Sequence, residues 1–173
     1  MKKQIFKTIL ILGIIWLFVS LNLKSNAVYY AAHMPKGKYR VAEAIMIVDN
    51  LYWLDEKSLK EHTIDMDGIN SIGQQKNDIT YIFTQGDLDS DATYSYFINT
   101  PKGNLYYKFN KHGELVWIGG TYIEVKEKIN EQEKKEIYNQ VQALIQPIVD
   151  KQDKPAINLQ WLFNLVNYRR FND

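Results

Sequence analysis

The chain contains no cysteine. Disulfides, thiol nucleophiles and cysteine-ligated zinc sites are therefore excluded, as is lipid modification of an N-terminal cysteine. Histidine is scarce: His33, His62 and His112 share no ligand spacing, and neither HxxxH nor HExxH occurs. No serine stands in a GxSxG context, and Gly119-Gly120 does not open a phosphate loop. That pair reads instead as a bulge or bend in a strand. Only four prolines and nine glycines occur in 173 residues, with no interdomain linker, low-complexity tract or internal repeat. An enzyme needs acid–base or nucleophilic residues in some recognisable order. This sequence offers none, and the expectation is a protein without enzymatic activity, cofactor or metal.

Excess charge of one sign is also missing, with 21 basic against 20 acidic residues. The first 27 residues hold Lys2, Lys3, Lys7 and Lys24 and no acid. The remainder therefore carries 17 basic against 20 acidic residues, a net −3. Such a surface is ill suited to neutralising phosphates, so nucleic acid is not an expected partner.

What the chain does have is one long apolar run, from Thr8 to Leu23, behind a lysine-bearing start. Ser25-Asn26-Ala27 places small residues at −3 and −1 of a cleavage position. The run is also close to the roughly 20 residues that a membrane-spanning helix requires. Residues 1–27 thus read as a signal peptide or a membrane anchor. Lysines before the run stay inside, so residues 28–173 form one extracytoplasmic domain, anchored or secreted. Held by its core alone, a piece of 146 residues is long enough to bury most of its apolar surface.

Residues 78 to 125 carry period-two alternation, the mark of strands with one buried face. Ile79, Tyr81 and Phe83 share a face, as do Tyr94, Tyr96 and Ile98, then Leu105, Tyr107 and Phe109, then Leu115 and Trp117. Thr121 to Val125 completes the last strand. Thr100-Pro101-Lys102-Gly103-Asn104 and Asn110-Lys111-His112-Gly113 carry turn chemistry. Links this short make an antiparallel meander.

Helical periodicity flanks it. Val28 to Lys38 reads as an extended leader. Val41, Ala44, Ile45, Val48, Leu51 and Tyr52 fall at helical spacing, although Ala44 to Val48 is also β-branched enough for a strand. Asp55 to Thr63 reads as a charged helix end or loop, and Asp67-Gly68 with Gly73 breaks any strand over 64–72. Asn130 and Glu133 form a capping-box pair ahead of the stripe Ile137, Val141, Leu144, Ile145 and Ile148. Pro147 should kink or shorten that helix, at about 3 kcal/mol if it stays helical. A last helix is expected from near Asp153, with the apolar stripe Ile157 or Asn158, Trp161, Leu162, Leu165 and Val166. Arg169 and Arg170 fall where the helix dipole favours cations. The expected fold class is α+β: an antiparallel meander of about four to six strands with amphipathic helices on one face.

Asp87, Asp89 and Asp91 alternate like the opening of a calcium loop. The sixth position is Ala92 rather than Gly and the twelfth is Ile98 rather than Glu, so an acidic hairpin tip is the simpler reading. The 12 tyrosines are more informative. Tyr106 and Tyr107 are adjacent and must point to opposite faces, which puts at least one ring on the face away from Leu105 and Phe109. Tyrosine suits protein interfaces, though many of these rings also suit a core. The candidate partner-binding set is Asp87, Asp89, Asp91, Tyr94, Tyr96 and Tyr106.

Beyond these readings, several stretches carry a resemblance in order along most of the chain. They are the N-terminal apolar segment with Tyr29-Tyr30, Met66 to Ile72 leading to Asn77 to Phe83, Leu105 to Asn110 with Leu115, and a terminal helix with Trp161, Phe163, Asn167 and Arg170-Phe171. In these the chain resembles the TipC family of immunity proteins, partners of LXG toxins exported by Gram-positive type VII systems. The resemblance implies an exported antiparallel sheet with flanking helices that docks on a secreted toxin. The expected function is an extracytoplasmic immunity or inhibitor protein that occludes such a toxin. The alternative is an exported module for a small apolar or cell-wall ligand, bound in a pocket between sheet and helices.

Overall fold

The computed structural model describes residues 2–86 and 93–172. The fold is α+β, with one six-stranded antiparallel sheet in sequential order and helices on one of its faces. The strands are β1 (Thr63–Asp65), β2 (Ser71–Lys76), β3 (Ile79–Gln85), β4 (Tyr94–Thr100), β5 (Gly103–Phe109) and β6 (Leu115–Gly120). The helices are α1 (Lys2–Ser25), α2 (Ala27–Ala32), α3 (Ala42–Asp49), α4 (Glu56–Leu59), α5 (Glu131–Val149) and α6 (Gln160–Asn172).

The alternation expected for the meander sets its two faces. Phe83, Tyr94, Tyr96, Ile98, Tyr107, Phe109 and Leu115 are buried under the helices. The β2–β3 hairpin turns on Asn77-Asp78, both at positive φ (47° and 53°), the conformation whose twist suits a two-residue hairpin. Gly113, at φ +74°, closes the β5–β6 turn, and its carbonyl accepts the Val41 backbone N–H at 3.1 Å, tying the turn to the start of α3. A Cβ there would meet that same nitrogen at 3.1 Å.

β6 departs from the expected pattern. Leu115 faces Phe109 and Trp117 faces Lys108, so Val116 is an extra residue and the strand carries a bulge. The bulge lies there, not at Gly119-Gly120. It returns Ile118 to the core face and sends Trp117 to the opposite one, separating the Leu115–Trp117 pair expected to share a face. The strand ends at Gly120. Residues 121–125 form a loop that comes back to an isolated bridge between Ile118 and Lys126.

The helix expected over 41–52 forms, but it is central rather than amphipathic. Every residue from Val41 to Val48 is buried. It is apolar nearly all round, as a helix enclosed by its neighbours must be. Of its two acids, Glu43 is paired with Lys36 and Asp49, at the helix end, with Arg170. Residues 28–32, expected to be extended, fall in α2 (Ala27–Ala32), with Tyr30 fully buried against Phe163 at 5.4 Å between ring centroids.

α5 matches its expected stripe residue for residue, and both halves of the Asn130–Glu133 capping box are made. Pro147 lies in its last turn, and the helix stops two residues later. α6 starts at Gln160, later than expected, and turns the other way round. Phe163 and Phe171 face the core, while Ile157, Trp161, Leu165 and Val166 are exposed. Phe163 meets Tyr30 of α2, and Phe171 is buried at the other end, where its carbonyl accepts the Gly37 N–H at 2.7 Å, which leaves the larger apolar stripe outside.

Among the described residues, α1 is the helix long and apolar enough to cross a membrane, over Lys3–Ser25, with a mean hydropathy of 2.1 and none of that stretch buried.

Candidate functional site: the open face of the sheet

The helix-free face of the sheet is built in rows that run across the strands. The central row is Gly73, Ile82, Phe97, Tyr106 and Gly119, each paired with the next. Glycine at both ends leaves a low ridge of three large side chains in the middle. On one side runs a polar row of Asp65, Ser71, Thr84, Ser95 and Lys108, ending on Trp117. On the other side stand Gln75, Thr80, Asn99 and Asn104.

These side chains hold one another in place. Phe97 and Tyr106 meet edge to face at 5.2 Å between centroids. The Asn104 side-chain amide donates to the Tyr106 hydroxyl at 3.2 Å. The Lys108 ammonium sits 5.0 Å above the Trp117 ring. The Trp117 indole lies so close over Gly119 that a Cβ there would come within 2.1 Å of it. Glycine at 119 is what lets the indole lie down on the sheet.

The face encloses a shallow concavity of about 690 Å³, lined also by Asp67, Ile69 and Gly86. It combines a rigid aromatic centre, flanking hydroxyl and amide groups, and charges at its margin. Protein–protein interfaces share this make-up: an apolar middle, a polar rim and aromatic anchors. Among the described residues, the charged groups that line it are Asp65, Asp67 and Lys108. Among the described residues, no group of three or more His, Asp or Glu side chains is placed to hold a metal.

The structure divides the residues singled out from the sequence. Tyr106 stands in the central row. Tyr94 and Tyr96 are on the covered face and buried, so neither can touch a partner. The physical reason is strand parity. Tyr96 pairs directly with Tyr107, and both point under the helices, whereas the neighbouring Phe97–Tyr106 pair points out. Asp87, Asp89 and Asp91, with the partial calcium-loop match, lie outside the described residues. Phe97, Ile82, Trp117 and Lys108 were not singled out. Phe97 and Ile82 could have been found, since each alternates with residues already assigned to the core. Trp117 could not, because only the bulge at Val116 brings it to this face.

Tyr94 has a structural role. Its hydroxyl lies 2.9 and 3.0 Å from the two Asp49 carboxylate oxygens, and the Arg170 guanidinium donates to the same carboxylate at 2.9 Å and to the hydroxyl at 2.7 Å. Gln85 adds a fourth contact to Asp49 at 3.1 Å. Burial first, and then the Asp49 charge, push the Tyr94 pKa above that of an ordinary tyrosine. The hydroxyl stays protonated and cross-links α3, β4 and α6. The three histidines have equally local tasks. One ring nitrogen of each faces a backbone carbonyl at 2.8 Å, of Tyr29 for His33, Leu144 for His62 and Arg170 for His112.

Between sheet and helices there is a second cavity, of about 190 Å³, lined by Gln74, Lys76, Tyr81, Tyr96, Gln140, Ala143 and Leu144. The buried Tyr96 hydroxyl, one of its lining groups, has no hydrogen-bond partner. Small-molecule pockets start at about 300 Å³, so this cavity is small for such a ligand.

Compared with known proteins, the chain matches no family model, no curated protein and no solved structure.

Proposed function

We propose that the protein is an extracytoplasmic immunity or inhibitor protein. Held at the membrane by α1, it uses the open sheet face to cover the active surface of a secreted protein toxin. The observation that carries this reading is the row Ile82–Phe97–Tyr106. It is an apolar, mutually braced ridge on a sheet face that none of the described helices covers. An enclosed catalytic cleft is not needed for such a task. The TipC-like order of segments along the chain gives the partner class, a toxin of the LXG type.

The rival reading, a module for a small apolar or cell-wall ligand, would use the cavity beside Tyr96, and its volume of about 190 Å³ counts against it. The test is protection. A sensitive bacterial strain producing the full chain is challenged with the exported toxin encoded beside its gene. Survival, together with co-purification of a stoichiometric complex, is the expected result. Toxicity unchanged and no complex at micromolar concentrations would reject the reading.

A further inference from the structure

The outward stripe of α6 lies close to the base of α1. Trp161, Leu165 and Tyr168 are spaced i, i+4 and i+7 and are all exposed, Trp161 at 66% and Leu165 at 72%. Ile157, just before the helix, is exposed to 66%. A helix normally hides such a stripe. Here the core takes Phe163 and Phe171 instead.

The position of Ile157 is fixed by hydrogen bonds. The Asn22 side-chain amide donates to the Ile157 carbonyl at 3.1 Å. The Tyr30 hydroxyl donates to the Asn22 side-chain oxygen at 2.7 Å and accepts from the Leu159 backbone N–H at 3.0 Å. Asn22 belongs to the last turn of the apolar run, which ends at Leu23. If about 20 residues fill the hydrocarbon layer, its outer boundary falls at this turn, and roughly 6 Å of headgroup region lies beyond it. Ile157 stands at that boundary, so an α6 lying along the bilayer surface holds Trp161 at headgroup depth, where an amphipathic indole is favoured. Lys24 in the last turn of α1 and Lys154, three residues before Ile157, are both exposed.

We propose that the exposed edge formed by Ile157, Trp161 and Leu165 rests in the outer headgroup boundary of the bilayer that α1 crosses. The domain is then seated on the membrane at two points and is not a body swinging on a tether. This rests on α1 as a membrane span and is independent of the toxin. The stripe belongs to the class of interfacial helix faces, with apolar and aromatic residues toward the acyl chains and cations toward lipid phosphates.

The test uses the full chain carrying Trp16→Leu, which silences the tryptophan inside the span. It is reconstituted in vesicles of phosphatidylcholine and phosphatidylglycerol whose acyl chains bear bromine near the headgroup end. Bromine quenches tryptophan only at close range. The expected result is a quenched fraction of emission that falls by about twofold or more on adding Trp161→Phe, as an interfacial indole requires. Trp161→Phe changes an exposed position, so the circular dichroism spectrum should not move. A chain that floats with the vesicles but whose quenching is indifferent to Trp161→Phe overturns the proposal while leaving the anchor intact. A chain that does not float with the vesicles overturns the anchor and this proposal together.

Discussion

The Arg170 guanidinium lies 2.9 Å from the Asp49 carboxylate, joining the last turn of the chain to the end of the central helix α3. Tyr94 sits between them and bonds to both. Arg170→Met would leave a largely buried carboxylate without its cation. Urea denaturation should show a loss of about 1–3 kcal/mol, the cost of stranding such a group. The double variant Arg170→Met, Asp49→Asn should recover part of it, because the stranded charge is gone. Equal stability of the single variant and the parent would mean that the cluster holds nothing together.

Much of the fold was legible because local pattern and burial agree. Along β3 to β5, alternation alone names the buried face, and in α5 both the stripe and the cap are written in consecutive residues. What was not legible depends on partners distant in sequence. One residue inserted at Val116 reverses the parity of the rest of β6, and no local signal marks it. Trp161, Leu165 and Val166 are a sound helical stripe. Which side of α6 turns inward, however, is decided by Phe163 meeting Tyr30, 133 positions away. Of the tyrosines proposed as contacts, parity settles the sorting: Tyr106 is out, Tyr94 and Tyr96 are in. Asp49 drew no notice, since a lone acid at a helix end has no pattern until Arg170 is brought to it.

If the open face is the proposed toxin interface, Tyr106→Ala weakens binding by about tenfold or more, as removal of a central aromatic anchor does. Phe97→Ala should act in the same direction. Surface plasmon resonance against the toxin measures this, with thermal melting as the control for folding. Tyr96→Ala is not an equivalent test. It empties a fully buried position, and its expected cost is about 3–5 kcal/mol of stability. Affinity unchanged in both Tyr106→Ala and Phe97→Ala would remove this face from the interface.

The Tyr96 hydroxyl is buried and without a partner, and burial raises its pKa well above the tyrosine range. Tyr96→Phe deletes only that oxygen. A stranded polar group costs about 1–3 kcal/mol, so the variant should be at least as stable as the parent and up to about that much more stable. A clear loss of stability in chemical denaturation would show that the hydroxyl is satisfied in solution.

Glu133 has its pKa lowered, chiefly by the Lys126 side chain and then by the Asn130 backbone N–H. A carboxyl with a depressed folded-state pKa stabilises the fold above its unfolded pKa, near 4.5. That contribution is lost as pH falls through the lower folded value. The gap in melting temperature between the parent and Glu133→Gln should therefore be open at pH 7 and close progressively below about pH 4.5. A gap that is constant with pH would assign the effect of the substitution to packing in the capping box rather than to the charge.

Residues 1–27 should stay attached. Cleavage after Ala27 would fall within helix α2, between Ala27 at 3% and Val28 at 1% exposure. It would create a charged amino group at a buried position and sever Asn22 from Tyr30 and Ile157. An unpaired buried ammonium costs several kcal/mol, and an extended substrate is not available to a peptidase once α2 has packed. Mass analysis of the chain recovered from the membrane fraction should find residues 1–27 still joined to Val28. A mature species beginning at Val28 and released to the medium would show that processing outruns packing, and the domain would then work without its anchor.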